Sequence, residues 1–228
     1  PREACIAVAG PVTGDTVRLT NHRWAFSIAA LREGLGLARL RVINDFEAIA
    51  LALPALAADD LVQVGGAAPV RGRPMAVLGP GTGLGVAQLI ATRGGFQPVS
   101  TEGGHASIGP CDEGELQIFA TLMRNGQQLC REALLSGPGI ERIYWALCLN
   151  RGGDYHGYSA AEIQAHAVAG SDATCHAALA HFCAFLGTAA GDQALCCGAQ
   201  GGVFIAGGIV PRFTEFLRHS RFRARFEA

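Results

Sequence analysis

Gly79-Pro80-Gly81-Thr82-Gly83-Leu84-Gly85 lies between two apolar runs, Met75 to Leu78 and Val86 to Ile90. That placement predicts a tight strand–loop–strand turn. Glycine at alternate positions permits positive φ and leaves no Cβ in the way, so successive backbone N–H groups can converge on an anion. The stretch therefore reads either as a phosphate cradle or as a glycine-rich hairpin turn that binds nothing. Two familiar phosphate loops are excluded. The spacing is Gly-x-Gly-x-Gly-x-Gly rather than G-x-G-x-x-G, and the chain runs on into a second β-like segment where a dinucleotide-binding unit would start a helix. A Walker loop needs a lysine, and the 18 basic residues of this chain are all arginine. The same absence removes a protein-kinase lysine and any lysine Schiff base.

Outward from the loop, three segments carry polar side chains to places where a ligand fits. Upstream, Arg41-Val42-Ile43 is a short strand that delivers Asn44-Asp45 to the start of a helical run, Phe46 to Leu53. Polar residues at a strand's carboxyl end lie where α/β folds bind ligands. Asp45 is equally suited to capping that helix. Downstream, a strand from Phe96 to Val99 leads into Ser100-Thr101-Glu102-Gly103-Gly104-His105. Glu102 and His105 can point at one small space across the two glycines. A metal would need more ligands than lie nearby, whereas a polyol needs only these hydrogen-bonding groups. Near the C-terminus, Gly201 to Val210 reads as a central strand entering the pair Gly207-Gly208, with Pro211 suited to a helix's first turn. The glycine pair either admits a flat group close to the helix start or is a packing turn.

The remaining segments frame these. Ala4 to Ala9 is a buried strand; Thr13-Gly14-Asp15 turns the chain into a strand from Thr16 to Thr20; Ser27 caps a short helix through Leu35. Pro54 ends the helix after Asp45, and Ala55 to Gly72 crosses into a second unit. Asp112 to Arg131 reads as one long helix, Ser136-Gly137-Pro138-Gly139 as a break, and Ile140 to Leu149 as helix again. Ser159 and Glu162 form a capping box, and Asp172 to Cys197 is a nearly all-apolar helix buried on most faces. There is no repeat at a solenoid period and no low-complexity tract.

At 228 residues, half of them hydrophobic and 16% charged, the chain has the length and composition for one large domain or two modest ones. A net charge of -1 argues against a general nucleic-acid binder, and the basic cluster Arg218 to Arg225 reads as an exposed helical face or frayed end. The eight cysteines show no CxxC pair and no regular framework, which suits reduced thiols. Cys175, His176, His181 and Cys183 have the spacing of an apolar helix, so packing is expected there rather than a metal. No apolar run approaches the ~20 residues that span a bilayer, and residues 1–15 do not read as a leader. The expectation is a cytoplasmic protein that binds no membrane.

Six motifs in order carry a family resemblance. They are Thr20-Asn21-His22-x-Trp24, Ile43-Asn44-Asp45-Phe46, Gly79-x-Gly81-Thr82-Gly83-Leu84-Gly85, Glu102-Gly103-Gly104-His105, Leu135-Ser136-Gly137-Pro138-Gly139 and Gly201 to Val210. Across essentially its whole length the chain resembles bacterial glucokinase outside the ROK group, within the sugar kinase, Hsp70 and actin superfamily. The resemblance implies a two-lobed α/β fold of the actin-like ATPase (ribonuclease H-like) type. Residues 1–56 would be the remainder of a small lobe, and residues 57–228 a large lobe carrying the hexose and ATP sites.

The resemblance also implies that Asn44, Asp45, Glu102, His105 and Glu132 bind the hexose, with Asp45 as general base. Gly81, Thr82 and Gly83 would form the second phosphate loop, and Gly207 and Gly208 the adenosine turn, with Ser136 and Gly137 nearby. ATP and Mg²⁺ are the implied cofactors, and a homodimer the implied assembly. The family's Asp-x-Gly-Gly-Thr-Asn loop has no counterpart before Pro1, and its closing strand and final helix would lie beyond Ala228. The chain is thus expected to be a fragment incomplete at both ends. A ROK-type zinc site is not expected, because only Cys111 follows the Glu102 to His105 segment. Two functions stand open: ATP-dependent phosphorylation of glucose, and a non-catalytic sugar-binding module.

Overall fold

A computed structural model describes residues 1–19 and 23–228; the motif residues Thr20, Asn21 and His22 lie outside it. The chain opens with strand β1 (Glu3–Val8), an antiparallel pair β2 (Thr16–Arg18) and β3 (Ala25–Ser27), helix α1 (Ile28–Gly34) and strand β4 (Arg39–Asn44). β4 lies parallel to β1, with Val8 opposite Asn44, so β2, β3 and α1 are the crossover that a parallel pair requires. Ser27 caps α1 as expected, accepting from the Ala30 N–H.

Helix α2 (Asp45–Ala52) follows without a loop. It packs on one face of a larger sheet made of β5 (Met75–Pro80), β6 (Leu84–Thr92), β7 (Gly95–Thr101) and β8 (Gly202–Ile205), ordered β7-β6-β5-β8. β5 is buried at every position because both its faces are covered. Met75 and Val77 join Ala50 of α2 and Leu53 just after it, while Leu78 joins the helical core on the other side. That double burial is why the run reads as continuously apolar rather than alternating.

The helical core comprises α3 (Glu113–Arg124), α4 (Arg131–Leu134), α5 (Gly137–Arg151), α6 (Ala160–Ala169) and α7 (Ala173–Cys197), closed by α8 (Thr214–His219) and α9 (Phe222–Phe226). α7 is the one described helix long and apolar enough, by length and composition, to cross a membrane, contrary to the expectation that no run comes near that length. It is instead the centre of the core: Phe182, Phe185 and Leu186 are fully buried among α3, α5 and α9. Side chains on Gly187 or Gly191 would run into the backbone of α9, so these two glycines set how closely the last helix approaches.

Four expectations are corrected. The helix expected from Asp112 to Arg131 stops at Arg124, because Gly126 takes a left-handed φ of 73° and turns the chain out. Glu132 therefore sits in the separate short α4. Ser136-Gly137-Pro138-Gly139 is not a break but the first turn of α5, where Ser136 is the cap and Pro138 needs no N–H partner. β8 is an edge strand among the described residues, not a central one. The basic C-terminal cluster is not frayed: Arg225 is buried against Glu115 at 3.1 Å, and Arg221 pairs with Asp112 at 2.7 Å. Cys175 and Cys183 are buried as expected, with His176 against Phe216 and His181 stacked on Phe185.

Candidate functional site

The β5–β6 hairpin forms as expected, but its glycines do something different from what was expected of them. None of Gly79, Gly81, Gly83 and Gly85 has a positive φ. Gly79 and Gly85 are cross-strand partners, and a side chain on either would overlap the ring of Phe46. A side chain on Gly83 would come within 2.5 Å of the Glu132 carboxylate. These three are glycines because neighbours from elsewhere in the chain occupy their side-chain space. Only Gly81, at the tip, faces open space beyond its own loop, with its N–H donating to the Gly83 carbonyl at 2.8 Å.

On one side of the hairpin stands the start of α2. Asn44, not Asp45, is the cap: its Oδ1 accepts from the N–H groups of Phe46 and Glu47 at 2.9 and 3.2 Å, and its Nδ2 donates to the Gly10 carbonyl. The capping alternative for Asp45 thus fails, because Asn44 already occupies that position. Asp45, half-buried at the first helical residue, has its carboxylate bonded, among the described residues, by the Phe46 N–H at 3.0 Å. Glu47 fixes this turn in place. It accepts from Arg41 at 2.8 Å and from the Ser100 hydroxyl at 3.3 Å, tying α2 to the strand that runs into Glu102.

Glu102 and His105 flank a 3-10 turn, Gly103–His105, with Glu102 Oε2 and His105 Nε2 3.9 Å apart and both side chains exposed. The intervening glycines let this turn press on β6. A side chain on Gly104 would overlap the Leu84 carbonyl, and one on Gly103 would meet Val86 at 3.0 Å. The Arg131 N–H donates to the Ala106 carbonyl at 2.9 Å, and the largely buried Arg131 guanidinium pairs with Asp192 of α7 at 2.9 Å. α4 is held there, and Glu132 reaches the hairpin, accepting the Leu84 N–H at 2.9 Å. Glu132 and the Gly103–Gly104 turn between Glu102 and His105 thus meet at Leu84, at the mouth of the loop.

On the other side, the start of α5 and the β8 turn close on the loop tip. The Gly137 N–H donates to the Gly81 carbonyl at 2.8 Å. Ser136 is buried, its hydroxyl accepting from the Gly139 N–H at 3.1 Å. Gly207, at φ 86°, leaves no room for a side chain against the Pro80 carbonyl, while Gly208 opens to solvent. Thr82 is exposed. Gly81, Thr82, Gly83, Ser136, Gly137, Gly207 and Gly208 therefore lie around one loop tip, although they come from three separate parts of the chain.

The family profile for glucokinase matches residues 1–228, the whole chain. The chain belongs to the glucokinase family. It is 48% identical to a glucokinase of Chromobacterium violaceum over 224 residues, spanning 98% of this chain and 64% of that protein. A glucokinase of Yersinia pestis is 47% identical over 225 residues, 99% of this chain and 70% of its own length. The crystal structure of a glucokinase from an Antarctic psychrotroph superposes with a TM-score of 0.91 at 39% identity, over 99% of this chain and 70% of that one. The fold is the mixed α/β fold of such sugar kinases, of the actin-like ATPase type.

Against this glucokinase framework, the sequence reading missed Glu47 and gave Phe46 no role. Glu47 carried a signal, an acidic side chain in the first turn of a helix. Its partner Ser100 is remote in sequence and could not be guessed. Phe46 was visible as a motif residue, but only the packed structure shows what its ring meets.

Proposed function

We propose that the protein transfers the γ-phosphoryl group of ATP to the primary hydroxyl of glucose, giving glucose 6-phosphate. The observation that carries this reading is the convergence on one hairpin. Asp45 arrives from the α2 side, Glu132, Glu102 and His105 from the Leu84 side, and the Gly137 and Gly207 turns from the loop tip. Membership of the glucokinase family supports it; the group meant is the one outside the ROK branch. Because the chain spans 64% of the length of one curated relative, the activity is that of the protein carrying this chain.

In this reading Asp45 is the general base. A primary hydroxyl is a weak nucleophile, so a carboxylate within about 3 Å accepts its proton as oxygen attacks the γ-phosphorus. Asn44, Glu102, His105 and Glu132 grip hydroxyls that do not react. They fix the attack geometry, and a sugar lacking a bonded hydroxyl leaves polar groups unpaired. Gly81, Thr82 and Gly83 receive the phosphates, and Gly207 and Gly208 the adenosine, with Ser136 and Gly137 bracing the loop. Mg²⁺ enters with ATP. Among the described residues no group of three His, Cys, Asp or Glu side chains forms a cage for it, and no step is assigned to it.

Residues 1–56 form one wall of the cleft and residues 57–228 the other. The eight cysteines are free thiols, which suits a reducing cytoplasm, and the family resemblance supports a homodimer. The test is to mix the full-length protein with glucose, ATP and Mg²⁺ and follow glucose 6-phosphate, with Asp45→Asn alongside. Product from the wild type and little from the variant is expected. Calorimetry that detects glucose but neither nucleotide binding nor product would establish the sugar-binding module instead.

A further inference from the structure

Phe46 directly follows Asp45, and its ring occupies the side-chain space of Gly79 and Gly85. These two glycines face each other across β5 and β6, one residue pair before the strands open into the loop at Gly81 to Gly83. Both have ordinary strand backbone without positive φ, so conformation alone does not call for glycine at either position. In a β-strand interior glycine weakens the strand and marks the close approach of another group. Here the approaching group is the aromatic ring of the residue next to the candidate base.

The far side of the hairpin is already fixed by other contacts. Glu132 holds the Leu84 N–H, and the Gly104 backbone is pressed on the Leu84 carbonyl. The phosphate loop thus belongs mechanically to the large sheet and its helical core. Asp45 stands where the two-stranded β1–β4 sheet passes into α2, the helix that packs on the large sheet. The ring of Phe46, on the residue next to Asp45, joins that helix start to the strands of the hairpin.

We propose that Phe46 is a positioning residue: seated on the Gly79–Gly85 pair, its ring sets where the Asp45 carboxylate stands relative to the phosphate loop. This rests on the reading of Asp45 as general base. A displacement of about 1 Å in a reacting group can lower a rate by around 10²-fold. Loss of the ring should therefore appear in turnover far more than in substrate binding.

The experiment compares full-length wild type, Asp45→Asn, Phe46→Ala, Phe46→Leu, Gly85→Ala, the Phe46→Ala/Gly85→Ala double variant and Ile49→Ala, by steady-state kinetics and thermal melting. Ile49 belongs to the same apolar cluster and serves as the packing control. Phe46→Ala is expected to lower kcat by roughly 30- to 100-fold with the KM for glucose and for ATP changed by less than about threefold. Phe46→Leu recovers part of that loss. Gly85→Ala lowers kcat in the wild-type background and adds little once the ring is gone, because the overlap has been removed. Ile49→Ala loses stability and keeps kcat.

If Phe46→Ala does not fold, Phe46→Leu and Gly85→Ala carry the same test, since each disturbs the seat without emptying it. An unchanged kcat in these variants overturns the inference, as does an equal kcat loss in Ile49→Ala or additive effects in the double variant. An inactive wild type, or full turnover in Asp45→Asn, overturns the reading of Asp45 and the inference with it. An active wild type, an impaired Asp45→Asn and an unimpaired Phe46→Ala overturn the inference alone.

Discussion

The two sides of the candidate site are built very differently. Behind the hairpin, on the side of α5, lies a deep core in which Tyr144, Phe182 and Phe185 are fully buried, and α7 is enclosed by its neighbours. Behind Asp45 lies a thin one: among the described residues, the cluster shared by the β1–β4 and β2–β3 pairs has just Val8, Val17 and Val42 as buried members. Two-stranded sheets of this kind are marginal by themselves. The carboxylate proposed for the chemistry thus stands on the weaker support, with the hairpin loop and the turns around its tip on the stronger. In the proposed kinase reaction a site that closes on substrates would benefit from this asymmetry, because low-stability elements are the ones that move. What steadies the thin side near the site is α2, through Glu47 on Ser100 and the packing of Phe46, Ala50 and Leu53 on the large sheet.

The comparison can be broken most sharply at Asp45. Replacing it with Asn should lower turnover by roughly 10²- to 10⁴-fold while the melting temperature stays close to wild type, since its local contact is one backbone N–H. A variant that melts early would move Asp45 from the chemistry to the scaffold.

Next in size is a matched pair of truncations. Phe185→Ala in the deep core should cost about 3–5 kcal/mol of stability by denaturant unfolding. Val17→Ala in the thin one removes less apolar volume and should cost about 1.5 kcal/mol. If the two cost the same, the asymmetry has no energetic content.

Acid should act on the deep core through its polar edge. The Glu115 N–H, and after it the Arg221 guanidinium, holds the Asp112 carboxyl below its ordinary value of 3.8. Because the folded value lies below the unfolded one, this stabilisation is complete above pH 3.8 and is lost as pH falls through the folded value. Burial lowers the His181 value in the same region, so its contribution is lost as pH falls below the ordinary 6.5. Melting curves should therefore weaken in two stages on acidification. Asp112→Asn should reduce the lower one and enlarge the upper, because the lost carboxylate no longer favours the protonated His181 ring.

The smallest effect concerns thiols. Burial raises Cys175 and Cys183 to about 12, so neither is thiolate near neutrality. Maleimide at pH 7.5 should label the exposed Cys5, Cys111 and Cys196 and leave Cys148, Cys175 and Cys183 until the protein is unfolded. Early labelling of the buried set would show that the deep core opens as readily as the thin side.

Much of this could be read before folding was considered, and one error was avoidable. Ser27, Ser159 and Asp172 cap helices where their sequences say they should, because capping is a matter of a few adjacent residues. The end of α3 was also legible, in Asn125-Gly126, although the acidic start and apolar period suggested a longer run. The competition between Asn44 and Asp45 was not legible, since both residue types cap well. It was settled by the pairing of Asn44 with Val8 and the bond from its amide to Gly10, contacts made across the sheet.

By itself the sequence determined the hairpin, the starts of α1, α6 and α7, and the order of the motifs, because these follow from backbone freedom and from periodicity within a few residues. Only the tertiary structure decided what each glycine of the hairpin is for. Gly79 and Gly85 receive a ring, Gly83 faces a carboxylate, and Gly81 is left at the open tip. A glycine states in sequence that a side chain is absent. What occupies the space it leaves is settled by parts of the chain that meet it only once the core has packed.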